Sequence, residues 1–208
     1  MRPFKRLKHY AEEISIKVIR IPIKIRLKLF PNSGKIHTNI IPYSKIDEST
    51  KNVINKLFVK NFNNDLENHE KLWARPTHAA LGYMNKKLVV LYFIYLRNCQ
   101  FDGDDVIIGG LGGVVCHPFY RKFGFTRQLI TKSWGKVMKN FSIDYGMLIC
   151  KSKLVSFYNK FGWYVSDESK LKIIENPITK KRTFKVMLYS PSPSRYVPEI
   201  IEINDKLW

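Results

Sequence analysis

A strand, a glycine-containing turn and an amphipathic helix follow one another in the middle of the chain, and this order limits the fold more than any other feature. Val106–Cys116 is an apolar run with two glycine pairs, which predicts a strand. Gly124 lies in the polar turn that follows, and apolar residues then recur at helical spacing over Thr126–Asn140. Because the unpaired N–H groups of a helix N-terminus bind phosphate, the sequence predicts an anion site at Arg121–Thr126.

The elements around this segment predict an α+β fold, in which a mixed sheet is flanked by helices. Helices are expected over Asp47–Asn61, where Asp47 or Ser49 can act as the cap, and over Leu154–Phe161. The remaining apolar or alternating runs predict strands. These runs are Ile36–Pro42, His78–Met84, Leu88–Leu96, Tyr145–Cys150, Trp163–Val165, Leu171–Ile174 and Phe184–Tyr189.

Composition divides the chain into a basic N-terminal extension, residues 1–35, and a single domain, residues 36–208. After Ile19 the extension alternates apolar and mostly basic residues, which predicts an edge strand with one cationic face, and a short basic helix is expected before it. An ordinary edge strand with solvated lysines is the simpler interpretation. Contact of residues 1–30 with a membrane surface or an acidic carrier protein is the alternative.

Charge is the most unusual bulk property of the chain. Lysine and arginine number 36 against 17 aspartates and glutamates, which gives a formal net charge of +19. Such a surplus favours anionic partners. The basic residues lack the interleaved aromatic residues of a single-strand binder, and the pattern contains no helix-turn-helix, so nucleic acid is not the expected partner.

The cysteines and the apolar runs predict a cytoplasmic protein without a bound metal. Cys99, Cys116 and Cys150 are odd in number, lie far apart and form no Cys-x-x-Cys pair, which indicates a reducing compartment and no zinc site. The longest apolar run, Leu88–Leu96, is shorter than the roughly 20 residues of a membrane span, and no secretory signal is expected. Peripheral attachment to the inner face of a membrane is the alternative location.

Two motifs resemble the GNAT superfamily of acyltransferases. Arg121-x-x-Gly124-x-Thr126 resembles the family's coenzyme A signature, Arg/Gln-x-x-Gly-x-Gly/Ala, and departs from it at Thr126. Phe157–Trp163 resembles the second motif, a tyrosine followed by a helix end and Gly-Phe/Trp. The resemblance covers about Trp73–Tyr189. It implies a mostly antiparallel sheet with a V-shaped splay, and transfer of an acetyl or longer acyl group from acetyl-CoA or another acyl-CoA to an amine.

The resemblance also implies how the donor is held. In the family the pantetheine arm hydrogen-bonds the backbone of two splayed strands, which correspond here to Leu111–Cys116 and Tyr145–Cys150. Tyr158 is implied as the general acid, since a positioned phenol can donate a proton in a transition state. The residues expected to bind the donor are Val114, Val115, Cys116, Arg121, Lys122, Phe123, Gly124, Phe125, Thr126 and Cys150.

The general base has no assured candidate. The strand carboxylate that serves in the acetyltransferase branch, through water, is replaced here by Gly112. His117, just past the strand, and His78, on an earlier strand, are the candidate substitutes. His78 and Trp208 are also the groups expected near the acceptor, which loop carboxylates could approach as well. These carboxylates are Asp65, Glu67 and Glu70.

The acceptor implied by the resemblance is a small molecule, most simply an amino sugar. Leu148–Trp163 and Trp208 resemble aminoglycoside 2′-N-acetyltransferases, whereas Ala74–Pro76 and Leu81–Tyr83 resemble the rhizobial nodulation N-acyltransferase, and both act on amino sugars. The positive charge of the chain disfavours a polycationic acceptor. It leaves an acyl-carrier protein as an alternative donor, and a degenerate GNAT domain acting as a basic binding module as the non-enzymatic alternative.

Overall fold

The structure is a computed structural model that describes Ile25 and residues 34–62, 66–67, 74–166, 172–174, 184–192, 195–203 and 208. Most of the basic extension, for which an edge strand and a short helix were expected, lies outside these residues. At Ile25 the backbone is helical and the side chain is exposed, so the strand expected after Ile19 is not found at that residue. No helix in the described part of the chain is long and apolar enough to cross a membrane.

Three helices of five or more residues are present in the described part of the chain: α1 (Glu48–Phe62), α2 (Phe125–Asn140) and α3 (Val155–Asn159). Asp47 caps α1, because its Oδ1 accepts a hydrogen bond of 2.8 Å from the backbone N–H of Thr50. α2 begins one residue before the predicted start, and α3 is shorter at both ends than predicted.

Nine strands of the described residues form one mixed sheet, as predicted. They are β1 (His37–Pro42), β2 (His78–Met84), β3 (Lys87–Phe101), β4 (Asp104–Cys116), β5 (Tyr145–Lys151), β6 (Tyr164–Val165), β7 (Lys172–Ile174), β8 (Phe184–Tyr189) and β9 (Ile200–Glu202). The main order is β1-β2-β3-β4-β5-β8-β6, with β9 beside the end of β3 and β7 beside β9. The β4–β5 and β7–β9 pairs are parallel and the other pairs are antiparallel.

Tight turns join β2 to β3 and β3 to β4. Asn85 and Lys86 both have positive φ, as do Asp102 and Gly103, which is the backbone that a two-residue hairpin turn requires. Lys87, which precedes the predicted strand Leu88–Leu96, belongs to β3 in the structure. The turns set both hairpins so that β4 runs back beside β3 and delivers the chain to the glycine turn before α2.

The two faces of the sheet bury separate apolar clusters. On one face Ile54, Leu57 and Phe58 of α1 pack among sheet residues that include Phe93. On the other face the inner side of α2 packs around Trp163 and Tyr92. Each of these two helices turns its buried apolar residues to the sheet, so α1 covers one face of the sheet and α2 covers the other.

The short strand β9 was not predicted from the sequence. It is fixed by Asp102, whose carboxylate accepts hydrogen bonds from the backbone N–H groups of Ile200, at 2.8 Å, and Glu199, at 3.0 Å. The hydroxyl of Tyr196 donates to the same carboxylate. The segment 195–203 is therefore attached to the end of the sheet that lies away from the turn before α2.

Candidate active site

β4 and β5 part from each other halfway along their length. They pair only from Ile108–Gly110 to Tyr145–Met147, although both strands continue and this stretch of chain is described without a gap. Beyond that point β4 still pairs with β3, and β5 still pairs with β8. Residues 112–114 of β4 are half-buried, whereas residues 109–111 are buried. A cleft therefore opens between two strand edges, as the V-shaped splay predicted.

A β-bulge in β4 lies at the point where the strands part. The register between β3 and β4 shifts by one residue between Leu91 and Phe93. Gly113, opposite this shift, has a φ of 56°, and a Cβ there would lie 2.7 Å from the ring of Phe93 and 3.1 Å from that of Phe58. A bulge bends its strand, so the glycine lets β4 turn away from β5.

The turn before α2 presents backbone N–H groups at the end of this cleft. Lys122 and Gly124 have φ values of 69° and 80°, and alternation of left- and right-handed residues forms a concave nest of N–H groups that binds anions. The first N–H groups of α2 have no partner within the helix, and no acidic residue lies in its first turn. A Cβ on Gly124 would meet no atom within 4 Å, so the space beside it is open.

The residues expected to bind the donor do not all contribute side chains. The side chain of Phe125 is buried in the core, which leaves its backbone N–H for a ligand. Val115 belongs to the α1 cluster, whereas Val114 and Cys116 pack against the α2 cluster, which contains Cys150. Arg121 and Lys122 are exposed, and Phe123 and Thr126 are half-buried. The guanidinium of Arg121 donates a hydrogen bond to the side-chain oxygen of Asn61, which ties the turn to α1.

Tyr158 lies on α3, next to the parted half of β5. It is 5% exposed and belongs to the same buried cluster as Cys150. Burial raises the pKa of its phenol, and Cys150 raises this pKa further. Its hydroxyl is found in no hydrogen bond with another described residue. The phenol therefore stays protonated at neutral pH and keeps its donor available.

His117 lies directly after β4 and caps a short helical turn. Its Nδ1 accepts a hydrogen bond of 3.3 Å from the backbone N–H of Phe119. Burial lowers the pKa of the imidazole, and the charges of Lys60, Lys87 and Arg121 lower it further. A neutral ring that accepts at Nδ1 carries its proton on Nε2. In this geometry His117 is a hydrogen-bond donor and not a base ready to take a proton.

The structure does not bring His78 to the same place. His78 begins β2, and its ring lies 4.5 Å from that of Phe141, which follows the last residue of α2. Because α2 has 16 residues, this end lies about 24 Å from the glycine turn along the helix axis. Burial lowers the pKa of His78.

Trp208 covers β4 on the face of the sheet that packs against α1. Its ring stacks on that of Tyr95, with centroids 5.5 Å apart and planes 17° from parallel, and it is 6% exposed. A Cβ on Gly110 would lie 2.3 Å from the indole, and one on Gly112 would lie 2.8 Å from it. The indole therefore requires both glycines. It fills the space in which the carboxylate expected at position 112 would stand.

Comparison with known proteins assigns the family. The sequence profile of the acetyltransferase (GNAT) domain matches residues 43–166, which is more than half of the chain. The chain belongs to the GNAT acetyltransferase family. No curated protein matches this sequence.

Solved structures support the same fold. YhbS, a GNAT family N-acetyltransferase from Escherichia coli solved in complex with CoA, is 14% identical, with a TM-score of 0.58 over 82% of this chain and 90% of its own. ElaA from Escherichia coli is 18% identical, with a TM-score of 0.53 over 74% of this chain and 99% of its own. An acyl-CoA N-acyltransferase from Pseudomonas aeruginosa is 11% identical, with a TM-score of 0.53 over 75% of this chain and 100% of its own.

GNAT enzymes take their acyl group from acetyl-CoA or another acyl-CoA, and the residues of this chain fit that donor. The nest at Lys122 and Gly124 suits a pyrophosphate, and the parted strand edges offer backbone groups to a pantetheine arm. Sequence reasoning missed Asn61, which holds Arg121, and Tyr95, which holds Trp208. The glycine pairs in β4 were the one sequence signal for the contact with Trp208, because glycine inside a strand often marks a place where another group approaches the backbone closely. Within the described residues no cluster of three or more potential ligands is placed to hold a metal ion.

Proposed function

We propose that this protein transfers an acetyl or longer acyl group from coenzyme A to the amine of a small molecule, by direct attack of the amine. The observation that carries the proposal is that three features lie at one end of the sheet: the glycine turn before α2, the cleft between β4 and β5, and the hydroxyl of Tyr158, which bonds no described residue. Donor binding falls to the N–H groups of residues 122–127 and to the parted edges of β4 and β5.

Tyr158 is the proposed proton donor to the departing sulfur. In the reaction a C–N bond forms, the C–S bond of the thioester breaks, and one proton passes in net terms from the amine to the thiol. Because the pKa of Tyr158 is raised, the phenol is a poor source of a free proton but a persistent hydrogen-bond donor. The phenol stabilises the developing thiolate. If it gives its proton to the sulfur, the proton that the amine releases can reprotonate it.

The described residues offer no general base of the expected kind. Ser133 and Ser166 are the buried polar residues in the described part of the chain, so no carboxylate or imidazole is buried there beside the cleft. Trp208 fills the space above Gly112, and His117 carries its proton on Nε2. The acceptor amine is therefore expected to arrive already neutral, from the small fraction that is deprotonated in water.

An amino sugar that is neutral or anionic is the proposed acceptor class. The support is the resemblance of segments such as Leu148–Trp163 to enzymes that acylate amino sugars, together with the net charge of +19, which disfavours a polycationic acceptor. The same charge leaves an acyl-carrier protein as the second donor to test. Residues 36–208 are proposed as one domain.

The test is an acyl-transfer assay that follows thiol release from acetyl-CoA, longer acyl-CoAs and acyl-carrier protein against a set of amino sugars and other amines. Turnover with at least one amino sugar is expected. Because the described residues offer no buried base, kcat/KM should rise with pH up to the pKa of the acceptor amine, without a plateau near the pKa of a histidine. Binding of the donor without turnover of any amine would favour the degenerate binding module.

A further inference from the structure

A second cavity lies on the other side of β4 from the donor cleft. It has a volume of about 560 Å³ and opens between the first turns of α1 and the tip of the β2–β3 hairpin. β3 and β5 flank opposite edges of β4, and this cavity lies on the β3 side. Its size falls within the roughly 300–1,000 Å³ of small-molecule pockets. The lining that matters for its chemistry is Ser49, Thr50, Lys86, Lys87, His117 and Tyr120.

The cavity is positively charged. Lys86 and Lys87 line it, and Lys60 and Arg121 are near enough to act, with Lys87, on the His117 ring. None of these four cations forms an ion pair with a described residue. A cluster of like charges without carboxylate partners costs free energy unless an anion is bound or solvent screens it.

An acidic group close to the cavity is already used within the protein. Asp47 is close enough to influence the phenol of Tyr83, which lines the cavity. The Asp47 carboxylate accepts hydrogen bonds from the Ser49 hydroxyl and from both the backbone N–H and the hydroxyl of Thr50. It caps α1 and leaves the lysines across the cavity unpaired.

The uncharged polar lining adds hydrogen-bond donors. His117 carries its proton on Nε2, since its Nδ1 accepts from the backbone N–H of Phe119. Tyr120 adds a phenolic hydroxyl, and Val53 and Leu88 provide an apolar part of the wall. Two ammonium groups, an imidazole N–H and a phenol together match the oxygens of a phosphate monoester attached to a small apolar group.

We propose that this cavity binds the phosphate monoester of a small molecule, at a site separate from the acyl-donor cleft. The site uses Lys86 and Lys87 as its principal cations and His117 as a donor. It stands independently of the proposed transferase activity, because none of its walls belongs to the parted edges of β4 and β5.

The direct test is calorimetric titration of the full chain with phenyl phosphate, in the absence and presence of saturating acetyl-CoA. Saturable binding that persists with acetyl-CoA is expected. Displacement of phenyl phosphate by acetyl-CoA would mean that the cavity is part of the donor site, and would overturn the proposal.

A sedimentation assay distinguishes a soluble phosphate monoester from a lipid headgroup. The vesicles are made of phosphatidylcholine and contain phosphatidic acid. Binding of phenyl phosphate without sedimentation assigns a soluble ligand, whereas sedimentation that depends on Lys86 and Lys87 assigns a lipid headgroup.

Charge removal is tested with matched variants. The double variant Lys86→Ala/Lys87→Ala should weaken phenyl phosphate binding at least ~tenfold, because it removes two charge-assisted hydrogen bonds. Lys136→Ala/Lys139→Ala removes the same charge from exposed positions on α2 and should leave the affinity unchanged. Equal weakening by both variants would mean that only the net charge attracts the anion, which contradicts a built site.

Side-chain NMR of His117 gives a readout that does not depend on affinity alone. Burial lowers the pKa of this ring, and the charges of Lys60, Lys87 and Arg121 lower it further, while Lys86 lines the same cavity. A bound phosphate favours the imidazolium, so the pKa of His117 should rise on saturation with phenyl phosphate. By linkage the anion should then bind more tightly as the pH falls through this pKa. An unmoved His117 titration at saturation would overturn the site.

Discussion

The two halves of β4 have the same glycine-rich composition but different surroundings. In the first half, which ends at Gly110, the strand pairs with both β3 and β5, and glycine makes room for large side chains such as Trp208. In the second half, Leu111–Cys116, one edge has lost its partner, and Gly113 bends the strand through its positive φ. The comparison teaches that glycine makes room for Trp208 in both halves, at Gly110 and Gly112, and that Gly113 in the second half also bends the strand where the cleft opens.

The largest expected effect of a single substitution is a loss of turnover, at Tyr158 beside the parted strands. Tyr158→Phe removes the phenol that faces Cys150, and kcat should fall at least ~100-fold while the Kd for acetyl-CoA stays within about twofold. The matched control is Tyr92→Phe, in the same buried cluster, whose hydroxyl bonds that of Ser133 at 2.7 Å. This control should lower stability and leave kcat unchanged. Unchanged turnover in Tyr158→Phe would remove this residue from the mechanism.

The bulge at Gly113 should give the next largest effect. Gly113→Ala places a Cβ 2.7 Å from the Phe93 ring at a φ of 56°, so unfolding in urea should show a loss of about 2–3 kcal/mol. Gly135→Ala is the control, because this glycine lies within α2 and its Cβ would meet no atom within 4 Å. Its stability should rise by up to ~1 kcal/mol. Equal stability of wild type and Gly113→Ala would show that β4 parts from β5 without the strained bulge.

The glycine turn before α2, proposed to bind the phosphates of the donor, should show a smaller effect, on donor affinity. Gly124→Ala strains a residue with a φ of 80°, which disturbs the nest and should weaken acetyl-CoA binding about tenfold, or ~1.4 kcal/mol. Gly103→Ala is its match, since Gly103 has a φ of 91° and equally open space but lies in the β3–β4 turn. Both variants should lose similar stability, and only the first should lose affinity. A similar loss of affinity in both would mean that the turn has no specific part in binding.

The smallest expected effect is on stability at Asp102, in the turn just before β4, and it depends on pH. The hydrogen bond from Tyr196, followed by that from the N–H of Ile200, holds the pKa of Asp102 below its usual value of 3.8. A lowered folded pKa gives stability that is present above the ordinary pKa and is lost as the pH falls through the folded value. The melting temperature of Asp102→Asn should therefore lie below that of wild type at pH 7, and the gap should narrow below about pH 4. A gap independent of pH would mean that the charge of Asp102 is not what holds β9.

The difference between the halves also marks what the sequence could predict. The turn Arg121–Thr126 and the helix after it are local, so glycine, charge and helical spacing predicted them to within a residue. Asp47 could be recognised as a cap for the same reason. Trp208, by contrast, meets Gly110 through a fold-back of nearly a hundred residues, and no local pattern encodes such a contact.

The parts of the site that use backbone groups could be predicted from the sequence, whereas the parts that use side chains could not. Main-chain N–H groups at a helix N-terminus follow from secondary structure, so the donor turn was predicted and fits the fold. The proton chemistry depends on side chains brought together across the sheet. Histidine is a residue type that can act as a base, but Nδ1 of His117 accepts a hydrogen bond from the backbone N–H of Phe119. The spacing of residues in the sequence could not predict this bond.

Amide hydrogen exchange with and without acetyl-CoA tests most directly whether the second half of β4 is the donor site. Binding is predicted to slow exchange in residues 112–116 of β4, in residues 148–151 of β5 and in the turn at 122–127, and to leave residues 108–110 of β4 unchanged. Protection that is absent from all three segments, or that is equal in both halves of β4, would contradict a donor held between the parted strands.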